Sequence, residues 1–209
     1  MMSCAFTSRA LRWLLMSFAF LPVIGCTQSP TIPEPPIPQG VSKDAIPKIV
    51  VRKEVISIDG RAISVSTSAP KDWLLVIGQA RKDGEYMWDN LGMRIGSEAK
   101  DSYTGLPKVY EFYIFVKRSK NWESFAYRPG SSFRHDRPEN TFPGYLEIDG
   151  VPIGSNMTLT EIQQWRKFLG LPELVLEPGT RTYYVYEKGV YTHEFTFEDD
   201  DKLTYVKFM

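Results

Sequence analysis

Cysteine is almost absent from this chain: Cys4 and Cys26 are the two present in 209 residues, and none follows. A domain built after residue 26 therefore has no disulfide, no thiolate nucleophile and no cysteine zinc site, and its stability must come from its core. Histidine is equally scarce, and His135 and His193 do not stand at a metal-ligand spacing, so no zinc site is expected. Neither sign of charge prevails, with 25 basic and 25 acidic residues, so no basic surface for nucleic acid is expected. No Gly-rich phosphate loop occurs, because Gly92-x-x-x-Gly96 reads as a strand fragment. Long apolar runs are missing too. The one candidate, Trp13 to Gly25, would reach about 20 Å as a helix, short of a hydrocarbon core of about 30 Å.

That run nevertheless has a clear reading. Arg9 and Arg12 precede it without an acid, giving the positive n-region and apolar h-region of a secretion signal. It ends Val23-Ile24-Gly25-Cys26, which resembles the lipobox of bacterial lipoproteins. An ordinary secretory signal that happens to contain a cysteine is the alternative. The resemblance implies that Cys26 receives a diacylglycerol, that the signal 1–25 is removed, and that a further acyl chain, typically palmitate, caps the new amino group. Each buried methylene adds about 0.8 kcal/mol, so several chains on one residue anchor firmly to a membrane. Thr27 stands where an Asp would resemble an inner-membrane retention signal, so the expected location is the outer membrane, facing the periplasm, with the inner membrane as the alternative. No cofactor besides this covalent lipid is expected.

Removing the signal leaves 23 basic and 25 acidic residues, a net charge of −2. Residues 26–47 then read as a tether. Prolines at 30, 33, 35, 36, 38 and 47 oppose helix and sheet and favour polyproline II, with a reach of up to roughly 60 Å at about 3.1 Å per residue. A Pro-x-x-Pro docking peptide at Pro33 to Pro36 is the alternative.

The remainder divides into a first unit, 48–118, an extension, 119–144, and a second unit, 145–209. Residues 56–78 (ISIDGRAISVSTSAPKDWLLVIG) and 146–170 (LEIDGVPIGSNMTLTEIQQWRKFLG) share an order: Asp59-Gly60 and Asp149-Gly150, Ile63 and Ile153, Gly78 and Gly170. This is an internal repeat with a period of about 90 residues. Asp-Gly supplies the positive φ of a hairpin turn. A short helix should follow in each copy. In the second, Thr158 and Glu161 form a capping box and Ile162, Trp165, Phe168 and Leu169 an apolar face; in the first, Ser68 is the expected cap and Trp73, Val76 and Ile77 the apolar face. Three strands should then follow, near 85–89, 92–96 and 107–118 in the first copy and 181–186, 190–197 and 202–208 in the second. The expected fold is α+β: two related β-β-α-β-β-β units, each an antiparallel sheet with one short helix packed on one face.

The extension between Lys117 and Gly144 is rich in Arg, Lys and aromatic residues. Ser131, Ser132, His135 and Asp136 are residue types of a hydrolytic triad, yet they crowd one loop, whereas nucleophile and base normally meet from separate elements. His193, in the alternation Tyr191 to Phe195, is expected to face solvent. Glu198-Asp199-Asp200-Asp201 lacks the spaced ligands and central glycine of a calcium loop and reads as a solvated turn. No catalytic set emerges, and a binding role is expected instead of an enzyme.

The stretch from Met157 to Phe208, a capped helix, Leu169-Gly170-Leu171-Pro172 and then strands, resembles SmpA/OmlA-type outer-membrane lipoproteins. A similar tandem unit occurs in β-lactamase inhibitory proteins, whose concave surface holds an enzyme. The format also resembles the immunity lipoproteins that protect bacteria from type VI effectors such as lipases and cell-wall hydrolases. These resemblances imply a protein partner, possibly a cognate toxin, whose active site is occluded. Trp122, Tyr127, Arg128, Phe133 and Arg134 are the expected contacts, since Trp, Tyr and Arg dominate binding hot spots. The alternatives are that this loop packs back on its own sheet, and that the protein serves outer-membrane assembly.

Overall fold

The computed structural model describes residues 32–209 apart from 84, 99–104, 121, 123–136 and 188–189. Strand follows strand wherever β-branched and aromatic residues alternate with polar ones. The first three are β1 (Lys48–Arg52), β2 (Val55–Ile58) and β3 (Arg61–Ile63). Helix α1 (Pro70–Ile77) leads to β4 (Arg81–Asp83), β5 (Glu85–Trp88), a 3-10 turn (Asp89–Leu91), β6 (Met93–Glu98) and β7 (Lys108–Phe115). After the extension come β8 (Tyr145–Ile148), β9 (Val151–Ile153), helix α2 (Leu159–Phe168), β10 (Val175–Leu176), β11 (Thr182–Glu187), β12 (Val190–Phe197) and β13 (Leu203–Phe208). The fold is mixed α+β, mostly strand, with two sheets and two short helices among the described residues. Neither helix is long and apolar enough to cross a membrane.

The strands are pooled differently from the expectation of one sheet per unit. The two Asp-Gly hairpins join β1 in a five-stranded sheet ordered β3-β2-β1-β8-β9, in which β1 runs antiparallel to β2 and parallel to β8. The remaining strands form one antiparallel sheet ordered β10-β11-β12-β13-β7-β6-β5-β4, joined at its centre by β13 and β7. Both hairpin turns use positive φ, at Asp59 and Gly60 and at Asp149 and Gly150. Their carboxylates fasten opposite ends of β1: Asp59 accepts the N–H of Lys48 at 2.7 Å, and Asp149 that of Lys53 at 2.9 Å.

Helix α2 starts as its sequence dictates. Thr158 accepts the Glu161 N–H, and the Glu161 carboxylate returns to the Thr158 N–H at 2.7 Å. Helix α1 differs from expectation. Ala69, not Ser68, is its N-cap, and only the return half of the box exists, Ala69 N–H to Asp72 at 2.8 Å. Ser68 is turned inward, where its hydroxyl accepts the Trp73 indole N–H at 2.7 Å. A buried Trp needs a partner for that donor, and this need outweighs capping.

Both helices and the five-stranded sheet share one core with one face of the larger sheet. Trp73, Ile162 and Trp165 meet Phe112, Ile114, Val206 and Phe208, together with Ile49, Val51, Leu146 and Ile148. The Trp73 and Phe112 rings lie 4.6 Å apart, and Phe112 stacks on Phe208 at 5.8 Å. The tether is partly docked. Pro38, Val41, Ala45 and Pro47 are half-buried, and turns close from Val41 N–H to Pro38 and from Ala45 N–H to Ser42.

Candidate interaction surface

The strand alternation that sends Phe112, Ile114, Val206 and Phe208 into the core turns Glu111, Tyr113, Phe115, Tyr205 and Lys207 to the opposite face. There a polar and aromatic layer runs across the sheet. Arg94 on β6 pairs with Glu85 at 3.0 Å and lies 3.9 Å above the Tyr113 ring. Tyr113 donates to Glu111 at 2.8 Å, and Lys207 lies 3.7 Å from Glu111 while pairing with Glu194. Glu194 is only 5% exposed, yet its charge is met by Lys207, by the Tyr205 hydroxyl at 3.1 Å and by the Thr196 hydroxyl at 3.2 Å. A buried carboxylate persists only with such partners. Burial, aided for Tyr113 by its bond to Glu111, pushes the Tyr113 and Tyr205 phenols above their ordinary value, so both remain hydroxyl donors. Towards the β10 edge, Tyr184 donates to Glu177 at 3.2 Å, and burial, then the nearby Glu194 and Glu177 charges, raise its pKa to about 12. At the other end Arg81 holds Asp89 at 2.8 Å.

The start of the extension is fastened beside this layer. Lys117 pairs with Asp200, Lys120 with Asp199 at 2.9 Å, and the Lys120 N–H reaches Glu198 at 3.0 Å. Arg181 adds contacts to Asp199 at 3.6 Å and Asp201 at 3.0 Å. The acidic turn between β12 and β13 is thus solvated and matched by cations. Its pairs are exposed and individually worth little, so their effect is to orient the chain. Among the described residues no His, Cys, Asp and Glu cluster suited to a metal occurs.

The contact residues expected from sequence fare unequally. Trp122 is 2% exposed and packs edge-on against Phe115 at 5.6 Å, beside Tyr113 and Tyr205. It is a packing residue and not a free contact, because its ring covers apolar surface that β7 would otherwise expose. Arg137 lies 5.7 Å over that ring and donates to Ser119, tying the two ends of the extension together. Tyr127, Arg128, Phe133 and Arg134 fall outside the described residues, as do Cys26 and the residues Ser131, Ser132, His135 and Asp136. His193 is also corrected. It shares its strand face with Phe195 and Phe197, is 2% exposed, and meets the Phe208 ring at 5.0 Å. Its Nδ1 is hydrogen-bonded to the Thr192 hydroxyl at 2.7 Å, and its Nε2 has no hydrogen-bond partner among the described residues.

Sequence reasoning missed the Arg94, Glu111, Glu194 and Lys207 layer. A signal existed in the period-two charges of β12 and β13, Glu194 opposite Lys207, but only strand register reveals it. A family model described as Domain of unknown function (DUF7738) matches residues 48–163. The chain belongs to that family. The DUF7738 match begins with β1 and ends inside α2, so it takes in the whole five-stranded sheet, strands β4–β7 and the extension. No curated protein and no solved structure matches the chain.

Proposed function

We propose that this protein is a lipid-anchored periplasmic binding protein, an immunity lipoprotein that occludes a secreted toxic enzyme such as a type VI lipase or cell-wall hydrolase. The observation that carries the reading is the outer face of the eight-stranded sheet. Neither α1 nor α2 lies on it; Trp122 covers part of it beside Phe115, Tyr113 and Tyr205, and the face carries Tyr113, Tyr184, Tyr205 and Arg94 in a layer fixed by hydrogen bonds and ion pairs. Rigid Tyr and Arg side chains lose little entropy on contact, which favours a protein partner. In this reading Tyr127, Arg128, Phe133 and Arg134, the contacts expected from sequence, supply the second part of the contact. In this reading Val23-Ile24-Gly25-Cys26 is a lipobox, and the face lies outside the cytosol, at the outer membrane. In this reading the protein catalyses nothing, binds no nucleic acid and holds no group besides the lipid on Cys26.

The fold reading goes further: the chain is a duplication of a β-β-α-β-β-β unit. Its support is the order of elements, hairpin, helix and three strands, with one additional short strand (β4, β10) straight after each helix, which runs from β2 to β7 and again from β8 to β13. The large sheet adds support, since its order reads outward symmetrically from the β13–β7 junction. Such a duplication is similar to the tandem arrangement of β-lactamase inhibitory proteins. The SmpA/OmlA resemblance of the second unit favours a second function, a structural part in outer-membrane assembly.

Deleting the gene separates the two. Immunity predicts that the deleted strain is killed by contact with its parent, with at least a tenfold loss in competition, and that expression of the intact chain restores survival. Unchanged survival combined with a leaky outer membrane contradicts immunity and supports assembly.

A further inference from the structure

The proline-rich arm ends in a stretch seated on the domain, not in a free leash. Pro38 and Val41 lie over Gly154, at the end of β9, and a Cβ built on Gly154 would stand 3.1 Å from Pro38 Cβ and 3.0 Å from Val41 Cγ2. Further on, Lys43 acts on Glu147 of β8. Burial opposes ionisation of Glu147, but hydrogen bonds from Tyr145 and Arg52 and the charges of Arg52 and Lys43 together lower its pKa. Finally the Pro47 carbonyl accepts the Tyr145 N–H at 3.0 Å, and Gly144 leaves room for that carbonyl, which any Cβ there would strike. Two points of the arm, Pro38 with Val41 and then Pro47, thus meet β8 and β9 at one end of the five-stranded sheet, and Lys43 between them adds its charge near Glu147.

We propose that residues 38–47 form a fixed collar on this domain, which Gly154 and Gly144 admit by lacking side chains, and that the collar sets how far the domain stands from its anchor. The collar follows from geometry alone; its consequence for reach rests on the lipid-anchor reading of Cys26. With the collar seated, eleven residues, 27 to 37, separate Cys26 from the domain. At about 3.1 Å per residue they span at most roughly 34 Å, little more than half the reach of the whole arm. The domain then stands within roughly 34 Å of its anchor, and a partner must be met close to the membrane.

Gly154 has no left-handed φ, and the three atoms nearest its missing Cβ all belong to the arm. Gly154→Leu therefore evicts Pro38 and Val41 without straining the sheet. Hydrogen exchange on the full chain in detergent reads this out. The Val41 and Ala45 amides should exchange at least tenfold slower than an unstructured peptide, and at least tenfold faster in Gly154→Leu than in the native chain. The Val51 and Leu146 amides should be unchanged. If those sheet amides also quicken, the paired variant Pro38→Gly, Val41→Ser, which leaves the domain intact, must give the same release. Native exchange at unstructured rates, or no change in either variant, overturns the collar. Neither outcome depends on Cys26, so loss of the lipid-anchor reading would be seen separately.

Discussion

Gly92→Ala should cost about 3–6 kcal/mol of unfolding free energy, combining backbone strain with overpacking. Gly92 closes the 3-10 turn in the left-handed region, φ +59°, and its carbonyl accepts the Phe115 N–H at 2.9 Å. A methyl group there would drive into the backbone of Thr141 and Phe142, with the Asn140 carbonyl 2.9 Å away. That segment cannot retreat freely. Phe142 N–H bonds to the Phe115 carbonyl at 2.7 Å, Asn140 N–H to the Asp89 carbonyl at 3.0 Å and Glu139 N–H to the Asp89 carboxylate at 3.1 Å. The substitution thus attacks the corner where the extension returns to the sheet. Gly179→Ala is the control, since Gly179 has φ +81° but open space around its Cβ position. It should cost about 1 kcal/mol, from backbone strain alone. Urea titration of both variants decides the matter, and equal losses would show that the return segment is not packed as described.

The second large effect is a loss of stability in acid. Burial holds the His193 imidazole neutral, with a pKa of about 4; the Asp149 charge opposes the shift and the Arg166 charge adds to it. In the unfolded chain the group titrates near 6.5. Between those values the unfolded state binds a proton that the folded state refuses. Stability is therefore unaffected above about pH 7 and falls by about 1.4 kcal/mol per pH unit as the pH drops from about 6.5 towards 4. The full loss is about 3 kcal/mol, a large share of the stability of an ordinary domain. His193→Leu should flatten the difference between unfolding at pH 7 and pH 4.5. Carboxylates titrate lower and are common to both proteins, so the native-minus-variant slope isolates the histidine. An unaltered slope would mean that His193 is solvated.

The same residue shows what the sequence could and could not disclose. His193 has the strand parity of Phe195 and Phe197, which was sufficient to place it inward, but a polar side chain between Thr192 and Glu194 suggested the reverse. The long strands after each helix were legible because Tyr, Val, Phe and Thr alternate there and glycine bounds them. Short β1 was not set apart from its unit, since its pairing with β8 joins residues nearly a hundred positions apart and is set by packing instead of local pattern. The pooling of hairpins into a shared sheet escaped for the same reason. Around the candidate surface, composition marked the extension but not its orientation. Trp122 and Tyr127 are alike in sequence terms, and only the apolar rings of Phe115 and Tyr205 beneath Trp122 fix it as packing. Ion-pair partners such as Lys117 with Asp200 lie 83 positions apart, beyond any spacing rule.

Following Cys26→Ser through cell fractionation with labelled palmitate tests the lipid anchor most directly. A lipid-held protein predicts that the native chain carries label and sediments with the outer membrane, while the variant carries none and leaves the membrane fraction. Label-free native protein, or a variant that still sediments with membranes, would contradict the anchored binding role on which the rest is built.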